Sequence, residues 1–112
     1  MLEKQSADYI QPDLCHCGGF NEGRKIAALA RNDHVSVVPH NPNGPISTLA
    51  GVHIGACTAN FEMLEYPRQP EGEPPVFRNQ PTAVDGYMEV PTGPGWGVEI
   101  DEDVISRLAL EV

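Results

Sequence analysis

At 112 residues and 40 % apolar content, the chain is long enough for one modest domain or part of one, and intrinsic disorder is not the default. The net charge of -9, with seven basic against sixteen acidic residues, repels phosphate backbones and anionic lipid surfaces, so neither nucleic acid nor membrane is an expected partner. Three cysteines, two of them close together at Cys15 and Cys17, exclude a disulfide framework; Glu3, Lys4 and Gln5 break any signal peptide, and no apolar run approaches the roughly 20 residues of a membrane span, so a reducing cytoplasm is the expected location.

Ala7 to Leu14 reads as a strand, closed by a Gly18-Gly19 turn, with Asp13 near its C-terminal end. From Asn21 to Arg31, Ile26, Ala27, Leu29 and Ala30 recur at helical spacing, with Asn21 as cap and Glu22 suited to the first turn. Val35 to Val38 is a compact buried strand, and Pro39 to Pro45 is a loop opened by His40. Ile46 to Cys57 returns to helical spacing, and Ala50, Gly51, Gly55 and Ala56 permit close packing. Phe61 to Tyr66 is a third strand with Glu65 at its end, and Pro67 to Pro81 is an extended surface segment. Three glycines between Pro91 and Gly97 mark a turn, and Asp101 caps a final helix to Leu110.

Strand, helix, strand, helix, strand is the order of parallel strands joined by right-handed crossovers, an α/β pattern, but three strands make an incomplete sheet. Asp13, His40 and Glu65 each end one of these strands, on the edge where barrel enzymes assemble their chemistry. Neighbouring parallel strands are about 4.8 Å apart, so a carboxylate ending one can hydrogen-bond an imidazole ending the next, fix its tautomer and make it a base. Glu65, among Phe61, Met63 and Leu64, is placed to be kept protonated by an apolar surround and to donate to an oxygen gaining charge. Cys15-His16-Cys17 suggests zinc, yet the spacing is too short and the residues of a strand alternate faces; Cys15 and Cys17 are expected to pack as small apolar residues, with His16 at the barrel interior or mouth.

Four motifs extend the pattern: Gln11-Pro12-Asp13 with Gly18-Gly19; Val38-Pro39-His40-Asn41-Pro42-Asn43-Gly44-Pro45; Asn60 to Tyr66; and Val90 to Asp101. In this order they resemble the C-terminal portion of the enolase superfamily, of the mandelate racemase/muconate lactonizing enzyme type and closest to galactonate dehydratase-like acid-sugar dehydratases. Asn43 stands where such enzymes commonly carry Leu. The resemblance implies the last three strands and helices of a (β/α)7β TIM-like barrel over residues 1–66, with 67–112 as an extension packing on the barrel or a capping domain. It implies His40 as general base, Asp13 as its dyad partner and Glu65 as stabiliser of the enediolate, with His16 a substrate-binding candidate. It also implies a Mg²⁺ cofactor whose ligands fall outside this chain, a small sugar-acid substrate, and a homo-oligomeric full-length parent. The expected parent activity is dehydration of the acid to a 2-keto-3-deoxy product, with the isolated chain inactive for want of metal ligands. Two alternatives stay open: a racemase or epimerase using the same dyad, and a non-catalytic remnant or split-gene piece that only associates with the rest of a barrel.

Overall fold

The computed structural model describes residues 2–67 and 72–109 of the chain. They fall into two compact units, Met1–Pro67 and Arg68–Val112. In the first, a 3-10 turn at Leu2–Lys4 precedes strand β1 (Tyr9–Ile10), helix α1 (Gly19–Asn32), strand β2 (Ser36–Val37) and helix α2 (Pro45–Ala56). Helix α3 (Glu102–Ala109) belongs to the second unit. Among the described residues no helix is long and apolar enough to cross a membrane.

β1 and β2 pair in parallel, Tyr9 with Ser36 and Ile10 with Val37, and the alignment continues to an isolated bridge between Asp13 and His40. The predicted strand from Ala7 to Leu14 is thus cut to two regular residues. Pro12 has no N–H to give a ladder, and beyond it the N–H groups of His16 and Cys17 turn back onto the Asp13 carbonyl at 3.1 and 2.8 Å. A third parallel segment joins β2 through Val37 and Phe61, with Glu62 N–H donating to Val37 O at 3.0 Å. It is one bridge rather than the predicted strand from Phe61 to Tyr66. Among the described residues no further strand pairs with its far side, so a single ladder holds it.

The turn after Asp13 coils directly into α1, which starts two residues before Asn21; Gly18 is the N-cap, in the left-handed region at φ 106, and the predicted cap at Asn21 is not formed. α1 closes on a left-handed His34 (φ 58), with Val35 N–H reaching back to Ala30 O at 3.0 Å and His34 N–H to Arg31 O at 3.1 Å. This is the Schellman pattern, and its Val35–Ala30 pair lies in one core cluster with Ala27 and Val37, against which Leu2 and Ile10 pack. Burying these apolar side chains drives α1 onto the sheet.

α2 begins one residue earlier than predicted, with Pro45 in the first turn, where a missing N–H costs nothing, and ends at Ala56 with Cys57 as its cap. A methyl added at Gly51 would lie 2.5 Å from Leu64, and one at Gly55 2.8 Å from Phe61, so the small residues let the helix sit directly on the third segment. A second cluster of Leu14, Ala50 and Ile54, with Cys17 and Phe20 against it, ties α2 to the turn that carries Asp13.

In the second unit Phe77 is buried and bridges antiparallel to Ile100, with Arg78 N–H donating to Glu99 O at 2.9 Å. The stretch from Pro67 to Pro81 is therefore not wholly a surface segment, and its residues 68–71 lie outside those described. Asp85 and Gly86, both with positive φ, turn Val84 back onto Tyr87. Asp101 caps α3 through Oδ1, which accepts the Val104 N–H at 3.2 Å; the predicted end at Leu110 lies outside the described residues.

Candidate active site

The parallel register sets the site. Because Asp13 and His40 are bridge partners at the C-terminal ends of neighbouring strands, their side chains leave the backbone together, and His40 Nδ1 is 2.9 Å from Asp13 Oδ2. An ionised carboxylate can only accept, so Nδ1 is the donor in this bond, and the tautomer it selects in the neutral ring puts the lone pair on Nε2. Nε2 faces the third segment, where Glu65 Oε2 is 3.9 Å away, beyond hydrogen-bonding distance but on the same side of the sheet edge. The carboxylate is 9 % exposed, while the imidazole at 44 % and Glu65 at 42 % face solvent. The imidazole is thus rooted in the protein on one side and exposed on the other.

Asp13 is anchored by more than His40. Its Oδ1 accepts the Cys15 N–H at 2.8 Å, and its Oδ2 also accepts the Asn43 side-chain amide at 3.1 Å. Burial pushes the carboxyl's proton affinity up, but the hydrogen bonds from His40, Cys15 and Asn43, with His16 nearby, outweigh it and hold the group below the usual carboxylate range. Asp13 therefore stays charged beside the imidazole.

Glu65 does not sit in the apolar surround expected of it. Its side chain is half-exposed, and Oε2 accepts the Asn41 N–H at 2.8 Å. The reason is local: Met63 and Tyr66 are exposed, and Leu64 is turned toward Gly51 of α2. His16 lies on the turn after Asp13, 75 % exposed, with Nε2 3.8 Å from Asp13 Oδ2. That places it beside the dyad and too far for a direct hydrogen bond.

Cys15 is exposed rather than packed, because residues 14–18 form a turn and not a strand; its Sγ lies 3.5 Å from Ser47 Oγ. Cys17 does pack, against the cluster of Leu14, Ala50 and Ile54. Burial pushes its thiol up, hydrogen bonds with the backbone of Cys17 and Gly19 only partly offset this, and Asp13 and Glu22 add to the rise, so it is a poor thiolate donor. Among the described residues no three His, Cys, Asp or Glu side chains are grouped so as to hold a metal ion. The described residues do not fit such a group, and no step below is assigned to one.

Two amides in the loop opened by His40 were not singled out as site residues from sequence. Asn41 is 1 % exposed, and its Nδ2 donates to Thr48 Oγ1 at 2.8 Å and to Glu65 O at 3.0 Å. Together with its N–H on Oε2 it fixes both the backbone and the carboxylate of Glu65. Asn43 holds Asp13. The available signal was the pair of amides flanking Pro42, in a loop too short to leave their side chains far from the strand ends.

The Enolase C-terminal domain-like family matches residues 1–104. The chain belongs to that family. Its α/β fold is accordingly the C-terminal part, the last three strands and helices, of an enolase-superfamily (β/α)7β TIM-like barrel with a C-terminal extension. It is 34 % identical over 113 residues to a D-galactonate dehydratase family member from Streptomyces bingchenggensis, covering 99 % of this chain and 28 % of the relative. To the D-xylonate dehydratase of Haloferax volcanii it is 36 % identical over 112 residues, covering 99 % and 27 %. A crystal structure of an enolase from Pantoea ananatis with bound D-gluconate and Mg is similar at a TM-score of 0.83 and 28 % identity, over 95 % of this chain and 26 % of that one. The chain thus spans a little over a quarter of the length of the relatives it matches.

Proposed function

We propose that this chain supplies the proton-abstracting edge of an acid-sugar dehydratase, a hydro-lyase of the enolase superfamily. One observation carries the proposal: His40 Nδ1 is tied to a charged Asp13 while Nε2 is turned toward Glu65 and open space. Nε2 takes the proton from the carbon next to the substrate carboxylate, and Asp13 stabilises the imidazolium that forms without itself taking a proton. The electron pair left behind moves into the carboxylate to give an enediolate, and Glu65, on the far side of Nε2, is the group of this chain assigned to stabilise that intermediate. The hydroxyl on the adjacent carbon then leaves as water, taking a proton from an acid supplied by the rest of the barrel, and the resulting enol becomes the 2-keto-3-deoxy acid. His16, exposed beside the pair, is the further substrate-binding candidate. The solved relative with D-gluconate and Mg and the two dehydratase relatives support a sugar acid as substrate and Mg²⁺ as cofactor. On this reading the Mg²⁺ ligands are assigned to the parts of the barrel outside this chain, and turnover needs both.

The test is a chimera in which this chain replaces the corresponding stretch of a dehydratase relative. It is incubated in D₂O with Mg²⁺ and, in turn, D-galactonate, D-gluconate and D-xylonate, and followed by proton NMR. Loss of the proton next to the carboxylate and appearance of the keto-deoxy product are expected from the chimera, and neither from its His40→Asn variant. A folded chimera inert on all three acids, or a His40→Asn variant as active as its parent, would refute the proposal.

A further inference from the structure

We propose that Asn43 is a positioning residue for the base: its side-chain amide occupies the second acceptor direction of Asp13 Oδ2, fixing the plane of the carboxylate and limiting how much of its charge His40 receives. The inference rests on the reading of Asp13 and His40 as a catalytic pair. Oδ2 accepts at once from His40 Nδ1 at 2.9 Å and from Asn43 Nδ2 at 3.1 Å, while Oδ1 accepts from the Cys15 N–H at 2.8 Å. An ionised carboxylate oxygen has about two lone-pair directions, so Oδ2 is filled. The three donors come from three different places: the turn after Asp13, the end of the β2 strand line, and the loop that leads into α2. A carboxylate held from three sides cannot swing, and the imidazole bonded to it keeps Nε2 aimed at the space in front of Glu65.

The same bond has an electronic effect. Each donor that stabilises the carboxylate's charge leaves less of it to stabilise an imidazolium, so Asn43 weakens the pull of Asp13 on the His40 proton. The other groups facing the pair are His16, 3.8 Å from Oδ2, Glu65, 3.9 Å from His40 Nε2, and the Cys17 thiol, which feels the Asp13 charge. None of them occupies the direction taken by Asn43. Asn43 is itself exposed, so replacing it leaves the core clusters untouched.

Leucine is close to asparagine in shape and has no donor, which makes Asn43→Leu the direct test on the full chain. The carboxyl carbon of Asp13 is titrated by NMR, and the Nδ1 proton of His40 is followed in the same samples, with the amide spectrum of Val35 and Val37 reporting on folding. The Asp13 titration is expected to move up toward the ordinary carboxylate range, and the Nδ1 proton to move downfield as its bond to Oδ2 strengthens. Asn43→Asp, which replaces the donor with a charge, is expected to move Asp13 further in the same direction. Repeating the series in a His16→Asn background removes the other ionisable neighbour of Oδ2. If Asn43→Leu leaves both signals in place while Asp13→Asn shifts the His40 proton, the pair exists and Asn43 has no hold on it, which overturns the inference. If Asp13→Asn also leaves the His40 proton unmoved, the pair itself is absent and the inference falls with it.

Discussion

Replacing Asn41 tests whether the Glu65 edge of the site is held by the loop rather than by its own strand. The side chain is 1 % exposed, and its Nδ2 serves two acceptors, Thr48 Oγ1 and the Glu65 carbonyl. Asn41→Ala strands the Glu65 carbonyl, at about 1 to 2 kcal/mol for a partly buried group. Thr48 loses less, because its hydroxyl keeps its own bond to Gly44 O at 3.0 Å. The vacated volume adds about 1 kcal/mol. Against these, Asn41 Oδ1 is buried with no hydrogen-bond partner, so its removal returns about 1 kcal/mol. The net expectation is a loss of about 2 kcal/mol, read as a fall of about 1 M in the urea midpoint followed by circular dichroism. Asn41→Asp keeps the unpartnered acceptor, discards the donor and adds a charge next to the Glu65 carboxylate, so it is expected to cost more, about 3 to 5 kcal/mol. An Asn41→Ala midpoint indistinguishable from the parent, or an Asn41→Asp variant more stable than Asn41→Ala, would show that the loop does not hold this edge.

Because the Asp13 carboxyl is depressed in the folded chain, it contributes stability that is present above the unfolded value near pH ~4 and is lost as pH falls through the lower folded value. The urea midpoint is therefore expected to fall on acidification below pH ~4, with Asp13→Asn showing a shallower decline than the parent over that range; parallel declines would remove Asp13 from the acid response. Gly23→Ala gains about 1 kcal/mol of helix propensity. Its methyl, however, would stand 2.6 Å from Leu14 Cδ2 and 2.8 Å from Ile54 Cδ1, both buried, and overpacking of about 1 to 3 kcal/mol is expected to win, giving a lower urea midpoint. His34→Gly relieves a left-handed φ of 58 at the end of α1 and is expected to raise stability by about 0.5 to 1 kcal/mol, a higher melting temperature being the readout.

The line of three strand ends was legible because each rests on a pattern that one residue type cannot blur. Apolar runs ending in Pro12-Asp13, Pro39-His40 and Leu64-Glu65 place three polar groups at equivalent heights once the runs lie parallel, and Asp13 and His40 are bridge partners. Lengths and caps were less legible, for reasons that are physical. A two-residue β1 follows from the missing N–H of Pro12 and from the N–H groups of His16 and Cys17 competing for the Asp13 carbonyl, a local contest that apolar periodicity does not record. Asn21 is a good capping residue, but the turn that buries Leu14 starts α1 earlier, and Gly18 takes the cap because the chain must pass there with positive φ.

The contacts of Asn41 and Asn43 were illegible for a further reason: an amide in a loop shows what it can bond, not what it will find. Both depend on the distance between the loop and the neighbouring strand ends, which the register of the parallel segments sets. Shifting that register by one residue would turn Asp13 or His40 to the other face of the sheet and leave the amide of Asn43 without its acceptor. The apolar side chains of Ile10, Val35 and Val37, packed with Ala27 and Ala30, oppose that slip. Their burial is therefore what gives the dyad its geometry, and a core change that loosens this cluster should be felt at His40 before it is felt in α2, which is anchored separately through Leu14, Ala50 and Ile54.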